Sequence, residues 1–425
     1  MRVAVVGSGI AGLTVAAGLA GRHQVTVLEA EAWVGGHTST VDVDEDGRQV
    51  AVDTGFIVFN DWTYPNFVAL LERLGVAWQP SNMSFSLQCE RTGLEYNGTS
   101  VNSLFAQRRN LVNPRFLHMI WEILRFNRIA PRFLADGDEQ TPLGDWLARN
   151  GFDGAFVEHY VVPMGRAIWS AEADAMLRFP ARFFIDFFHR HGFLSVDDRP
   201  QWKAVTGGSR EYVRRLAAPF AGAIRTSTPV VSVRRLPHEV VLRARGGETF
   251  HADAVVFACH SDQALAMLDD ASAAERAILG AFPYAPNDVT LHTDESLLPR
   301  RALARAAWNY HLRREPGRGV ALTYDMNVLQ SLTTRRRYLV SLNLDDRIDE
   351  RKVLRRFSYS HPVYTPEGVA AQKRHGEISG KRRSFYCGAY WRSGFHEDGL
   401  VSGLTVLSQF EQWQGDAQQP LQRVG

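Results

Sequence analysis

The stretch that most constrains this chain is its first 36 residues. RVAVV at 2–6 is a short β-branched run, and GSGIAG at 7–12 follows it directly. A helix is predicted from Ile10 to about Gly21, then QVTVLEA forms a second strand ending at Glu29. Gly7 turns the chain tightly out of the strand. Gly9, lacking a Cβ, lets a pyrophosphate approach the backbone, and Gly12 lets the helix pack on the sheet. The helix N-terminus, at Ile10 and Ala11, offers free N–H groups and partial positive charge to phosphate. Glu29, followed by Ala30, stands where a carboxylate accepts hydrogen bonds from an adenosine ribose and repels a 2′-phosphate.

A second glycine pair, Gly35-Gly36, follows the acid in EAEAWVGGHTST. The combination resembles the two-dinucleotide-binding fingerprint of the flavin amine oxidase superfamily, which includes phytoene-type desaturases and protoporphyrinogen oxidases. The resemblance implies FAD, with Gly35, Gly36, His37 and Thr38 near its pyrophosphate and ribityl chain. Many members carry Arg where His37 stands. DTGFIVFN, WNYH, TYDMN and GAYWRSGFHEDG are similar to a bacterial group of NAD/FAD-binding proteins, and the likeness spans the chain. Genes of that group often stand near relatives of cyclopropane-fatty-acyl-phospholipid synthases, which implies an acyl-lipid substrate.

On that resemblance the fold is α/β. A Rossmann-like FAD domain with a central parallel sheet spans 1–80, 205–265 and 380–425. An α+β substrate domain is formed by insertions 81–204 and 266–379. Thr54, Gly55 and Phe56 are expected near the flavin ring, and Val231 at the adenine. Asp53 is open to two readings, a satisfied turn carboxylate or a reacting group. Gly388 is expected at the ribityl-phosphate, with Asp398, Gly399 and Leu400 opening a helix toward the flavin pyrimidine. A helix end there stabilises the charge that builds on reduction. Relatives commonly place an acid where Ala389 stands. Cys387 does not match the covalent cysteine of monoamine oxidases, so FAD is expected to be non-covalent.

In the second insertion, strands around WNYHL and VALTYDMN place Asn309, Tyr310, His311 and Tyr324 either on a substrate cavity or in ordinary sheet pairs. TPLGDWLARNGF is predicted to be a helix with Thr141 as N-cap and Pro142 at its first position. Two segments combine aromatic and basic residues. PRFLHMIWEILRFNRIAPRFL (114–134) and RFPARFFIDFFHRHGF (178–193) either lie on an anionic membrane surface or pack on their own domain.

Net charge is +2, from 48 basic and 46 acidic residues; no strong field marks a nucleic-acid binder. Cys89, Cys259 and Cys387 are scattered, which fits a reducing cytoplasm and no metal site. No signal peptide or membrane span is expected. The function expected is an FAD-dependent oxidoreductase, a dehydrogenase or desaturase of a lipophilic substrate such as a methyl-modified acyl chain of a phospholipid. A hydride would pass to flavin N5. An amine oxidase releasing peroxide stands as the alternative, and an FAD-containing accessory protein for a lipid-modifying enzyme as the second. Lys203, the only lysine before residue 352, does not match the amine-oxidase lysine, and no aromatic cage is evident. Catalytic side chains are not assigned.

Overall fold

The computed structural model describes residues 1–152, 154–315 and 319–418; the end of the third cofactor segment, 419–425, lies outside the described residues. Five parallel strands form the cofactor sheet. Their spatial order is Ile224–Arg225, Gln24–Leu28, Arg2–Val6, Ala254–Phe257 and Ser384–Tyr386. The central strands are apolar on both faces because both are covered. Val3, Val5, Val25, Val27 and Val256 face the first helix, Ile10–Leu19, and the C-terminal helix, His396–Gln418. Ala4, Val6, Val255 and Phe257 face the antiparallel meander 230–252 and the helices Ser261–Met267 and Ala273–Leu279.

A second sheet of seven strands carries the opposite wall of the site. Its order is Val353–Pro362, Tyr284–His292, Leu339–Leu342, Leu322–Asp325, Trp308–Leu312, Phe85–Cys89 and Glu95–Asn97. Strand Trp308–Leu312 pairs in parallel with Phe85–Cys89, in register Trp308 to Phe85. This pair joins residues near position 90 to residues near position 310 in one sheet.

The two aromatic-basic segments behave differently. Helix Ala181–Arg190 buries Phe184, Phe187 and Phe188 in the core, so 178–193 keeps no apolar face for a membrane. Helix Pro114–Asp136 starts with Asn113, whose side chain accepts from the N–H groups of Arg115 and Phe116. It buries Phe116, Met119, Phe126 and Ala130 while leaving Leu117, Trp121 and Leu124 exposed. The expected Thr141 cap is corrected. Helix Leu143–Arg149 is preceded by Pro142 as its N-cap, and the Thr141 hydroxyl donates to Asp138. The carboxylate of Asp138 already accepts the Thr141 N–H at 2.6 Å, which draws that side chain away from the helix.

Asp53 is a structural carboxylate. It accepts from the Thr40 hydroxyl (2.6 Å), the Ser209 N–H (2.9 Å) and hydroxyl (2.8 Å), and the Gln330 amide (3.1 Å). Gln330 belongs to the second insertion, so this one side chain ties three distant segments together. Burial pushes the Asp53 carboxyl up to about 6. Asp53→Ala strips the acceptor from four buried donors. We expect unfolding free energy to fall by about 2–4 kcal/mol, measured by chemical denaturation, with turnover of the FAD-saturated protein retained. Loss of turnover at unchanged stability would instead make Asp53 a reacting group.

Candidate active site

The glycine turn acts as read from the sequence, and the structure supplies distances. A Cβ on Gly12 would stand 2.1 Å from the carbonyl oxygen of Gly7, so only glycine permits this helix–strand approach. Around Gly9 the reverse holds. A Cβ there would meet nothing within 4 Å, and Gly9 caps the helix with no side-chain hydrogen bond. The free helix N–H groups therefore face open space shaped for an anion.

Ser8, absent from the sequence reading, orients the acid. Its N–H and hydroxyl donate to one Glu29 oxygen at 2.8 and 2.5 Å, and the Glu31 N–H donates to the other at 2.9 Å. The Ser8 hydroxyl also accepts from the Gly35 N–H at 3.2 Å. One hydroxyl thus links the first glycine turn, the acid and the second glycine pair.

These residues open onto a cavity of about 1140 Å³. Gly7, Gly9, Ile10, Ala11, Glu29, Ala30, Gly35, Gly36, His37 and Val231 line it. Thr54, Gly55, Phe56, Gly388 and Gly399 line it too, Gly55 against the His37 carbonyl and Gly399 beside Ile10. Gly12, read as a packing residue, stands behind the wall, and so do three expected contacts, Leu400, Thr38 and Asp398, which are corrected. Gly12 serves packing, and Leu400 is buried in the core. Thr38 meets the Tyr212 hydroxyl at 2.6 Å, which in turn meets His396 Nε2 at 2.7 Å. Asp398 accepts from the Ser393 and Phe395 N–H groups at 3.2 and 3.0 Å, folding the loop before the C-terminal helix.

Of the four expected substrate residues, Tyr324 lines the cavity and the other three do not. Strand alternation is the reason. Trp308, Tyr324 and Leu342 share the cavity face, whereas Asn309 and His311 point to the opposite one. There Asn309 bonds the backbone of Ala306 and Thr323, and His311 joins Thr323, Ser341 and His292 in a buried hydrogen-bonded row. Tyr310 shares the cavity side of the sheet but is sealed in the core.

A histidine cluster went unread. His37 lies 5.9 Å from His260 and 5.6 Å from His361, ring centre to ring centre, with Tyr359 at 5.1 Å. His396 stacks on Phe56 at 3.7 Å. All five of these histidine and tyrosine side chains line the cavity. Burial lowers His37 and His260 to about 4, and His361 and His396 to about 3. His37 Nε2 is buried without a hydrogen-bond partner among the described residues. The sequence signal was slight: single histidines after the second glycine pair (His37), past a strand (His260), within a strand (His361) and at a helix start (His396). Among the described residues no cluster could hold a metal.

The open cradle at Gly9, the oriented Glu29 and the unpartnered His37 nitrogen all fit FAD. Gly9 has φ −65° and ψ 177°, accessible to any residue. Gly9→Val should therefore fold normally but lose FAD occupancy at least about tenfold, because the side chain fills the pyrophosphate space. Gly12→Val should fail to fold; absorbance and thermal melting separate the two, and normal flavin content in Gly9→Val would refute the placement. The four lowered histidines set a pH dependence. The native state binds fewer protons than the unfolded chain, so their stabilisation is complete above about 6.5 and is lost as pH falls toward 4 and 3. Melting temperature should drop across that window, and should drop less in His260→Gln/His361→Gln; an identical profile in that variant would contradict the cluster.

No curated protein matches the chain in sequence. Among solved structures, it is similar to a wild-type putrescine oxidase bound to putrescine (TM-score 0.66, 16% identity, 97% of this chain and 99% of that one). It is also similar to a fatty acid isomerase from P. acnes that produces CLA (0.68, 16%, 96% and 98%). A third is cyclohexylamine oxidase from Brevibacterium oxydans IH-35A (0.68, 15%, 96% and 99%). These likenesses show the fold. The family described as flavin containing amine oxidoreductase matches residues 10–406. The chain therefore belongs to that family and is an FAD-dependent oxidoreductase.

Proposed function

We propose that this oxidoreductase dehydrogenates a long lipophilic substrate, such as an acyl chain of a phospholipid. The observation that carries the reading is the distribution of charge around the cavity. Its charged lining residues are Glu29, Glu31, Arg245, Arg355 and Arg356. Glu29 is engaged by Ser8, and the other four are exposed. The remaining wall beyond the flavin end is apolar and aromatic, with Ile57, Ile168, Trp169, Phe187, Trp308 and Phe357 among its members. Such a wall takes hydrocarbon out of water and offers a cationic amine no acidic partner. A second hollow of about 310 Å³ adjoins the cavity at Met83, Phe193 and Trp202.

Two features count against an amine oxidase. Phe187 and Phe395 stack on one another at 4.8 Å, leaving no gap between these rings for a substrate. Lys203 pairs with Asp61 at 3.4 Å and does not line the cavity.

FAD bound here supplies a two-electron acceptor for a substrate C–H. The chain's own residues do the rest. The apolar wall excludes water and aligns the substrate, and the N-terminus of helix His396–Gln418 directs positive potential into the cavity. FAD is held non-covalently on this reading. Cys387 is fully buried and off the cavity wall, and burial pushes the Cys259 thiol up to about 12.

Anaerobic incubation of holoprotein with phospholipids bearing unsaturated or methyl-branched chains should bleach the flavin band, whereas an amine panel should not. Bleaching by amines alone would overturn the proposal. Bleaching by neither, with dithionite-reduced flavin that oxygen and quinone fail to reoxidise, would replace it with the accessory-protein reading.

A further inference from the structure

The large hydrophobic side chains left exposed are not spread evenly. Six of fifteen fall between 101 and 124: Val101, Leu111, Val112, Leu117, Trp121 and Leu124. Val112 is 82% exposed and Trp121 54%. Leu117, Trp121 and Leu124 share one face of helix Pro114–Asp136, and Arg128 and Arg132 continue that face at helical spacing. Partly wet Trp and Leu on a long amphipathic helix form the apolar half of an interfacial surface.

Charge completes the surface. Residues 101–136 contain six Arg and two acids, Glu122 and Asp136, in a chain that is otherwise nearly balanced. Glu122 is buried, its side chain 1% exposed, and lies 3.5 Å from Arg125. Arg125 is itself committed, donating to the carbonyls of Asn150 and Gly151 and lying 3.9 Å over Phe152. Among the described residues, Arg108, Arg109, Arg115 and Arg128 make no salt bridge, although most arginines elsewhere in the chain are paired. An unpaired basic rim around exposed Trp and Leu matches an anionic lipid surface. A second copy of the chain would set like charge against like. No helix among the described residues is long and apolar enough to cross a membrane, so the contact is peripheral.

We propose that residues 101–132 dock the protein onto anionic membrane surfaces. The buried face of the same helix reaches the site. Phe126 packs against Phe188 at 6.5 Å, and the helix bearing Phe188 carries Phe187 on the cavity wall. One helical layer therefore separates the docking surface from the cavity. The proposal stands whatever the substrate is, because its test requires no turnover.

Holoprotein is floated with phosphatidylcholine vesicles and with vesicles also containing phosphatidylglycerol. Binding to the anionic vesicles only, weakened by salt, is expected. Leu117→Ser/Trp121→Ser/Leu124→Ser and, separately, Arg115→Glu/Arg128→Glu/Arg132→Glu should each cut the bound fraction at least about tenfold. All of these positions are exposed, so flavin content and melting temperature should stay at wild-type values, and both are measured. No binding to anionic vesicles, or equal binding by either variant, overturns the proposal. So does a wild-type dimer that the serine variant converts to monomer in sedimentation velocity without vesicle binding, which would assign the face to a second copy.

Discussion

Everything in the cofactor site depends on one approach of backbone to backbone. The first helix lies so close to the first strand that a Cβ on Gly12 would overlap the Gly7 carbonyl. The C-terminal helix repeats the device on the other side. A Cβ on Gly403 would stand 2.8 Å from the Ala11 carbonyl oxygen. Two helices separated by nearly 400 residues thus touch through backbone, and the starts of both open on the same cavity. The mutual placement of the two helix starts is set by this contact rather than by any side chain of the cavity wall.

That geometry explains how the site manages without the arginine common at position 37. A phosphate bound at the open cradle of Gly9 would be met by backbone N–H groups and the helix end, whose partial charges need no counter-ion in the wall. A half-buried imidazole packed against two others gains little by charging, because each proton would sit near another ring. The cluster around His37 therefore presents neutral nitrogens and ring faces. Neutral walls cost less to desolvate than a buried guanidinium, and they leave the electrostatics of the ring end to the helix terminus at His396.

The legible parts of the sequence were those where backbone geometry dictates composition. Gly7, Gly12, Gly35-Gly36 and Gly388 were readable as constrained positions because turns and close approaches there exclude other residue types. The substrate wall was not readable. Asn309 and His311 look functional beside Trp308 and Tyr310, yet a central strand of a covered sheet buries both faces, and its polar face is satisfied internally. Nothing local says which face meets the cavity; that depends on pairing with residues 85–89, more than 200 positions away. Ser8 escaped for another reason: a serine between two glycines looks like filler until its hydroxyl is seen bridging Glu29 and Gly35. The phenylalanines of 183–188 and the leucines of 117–124 have the same composition, and only tertiary packing separates core from surface.

This division also bears on how substrate choice is built. The cavity wall beyond the flavin end comes from a sheet that neither insertion completes alone, because its parallel pair takes one strand from each. Trp308 and Tyr324, cross-strand neighbours with rings 5.1 Å apart, stand on that sheet's cavity face. The hydrogen-bonded row of His311, Thr323, Ser341 and His292 lies directly behind them and fixes the register of four strands. A one-residue slip would turn the polar row into the cavity and the aromatic pair out of it. The buried polar row, though it touches no ligand, is therefore what keeps the cavity wall apolar.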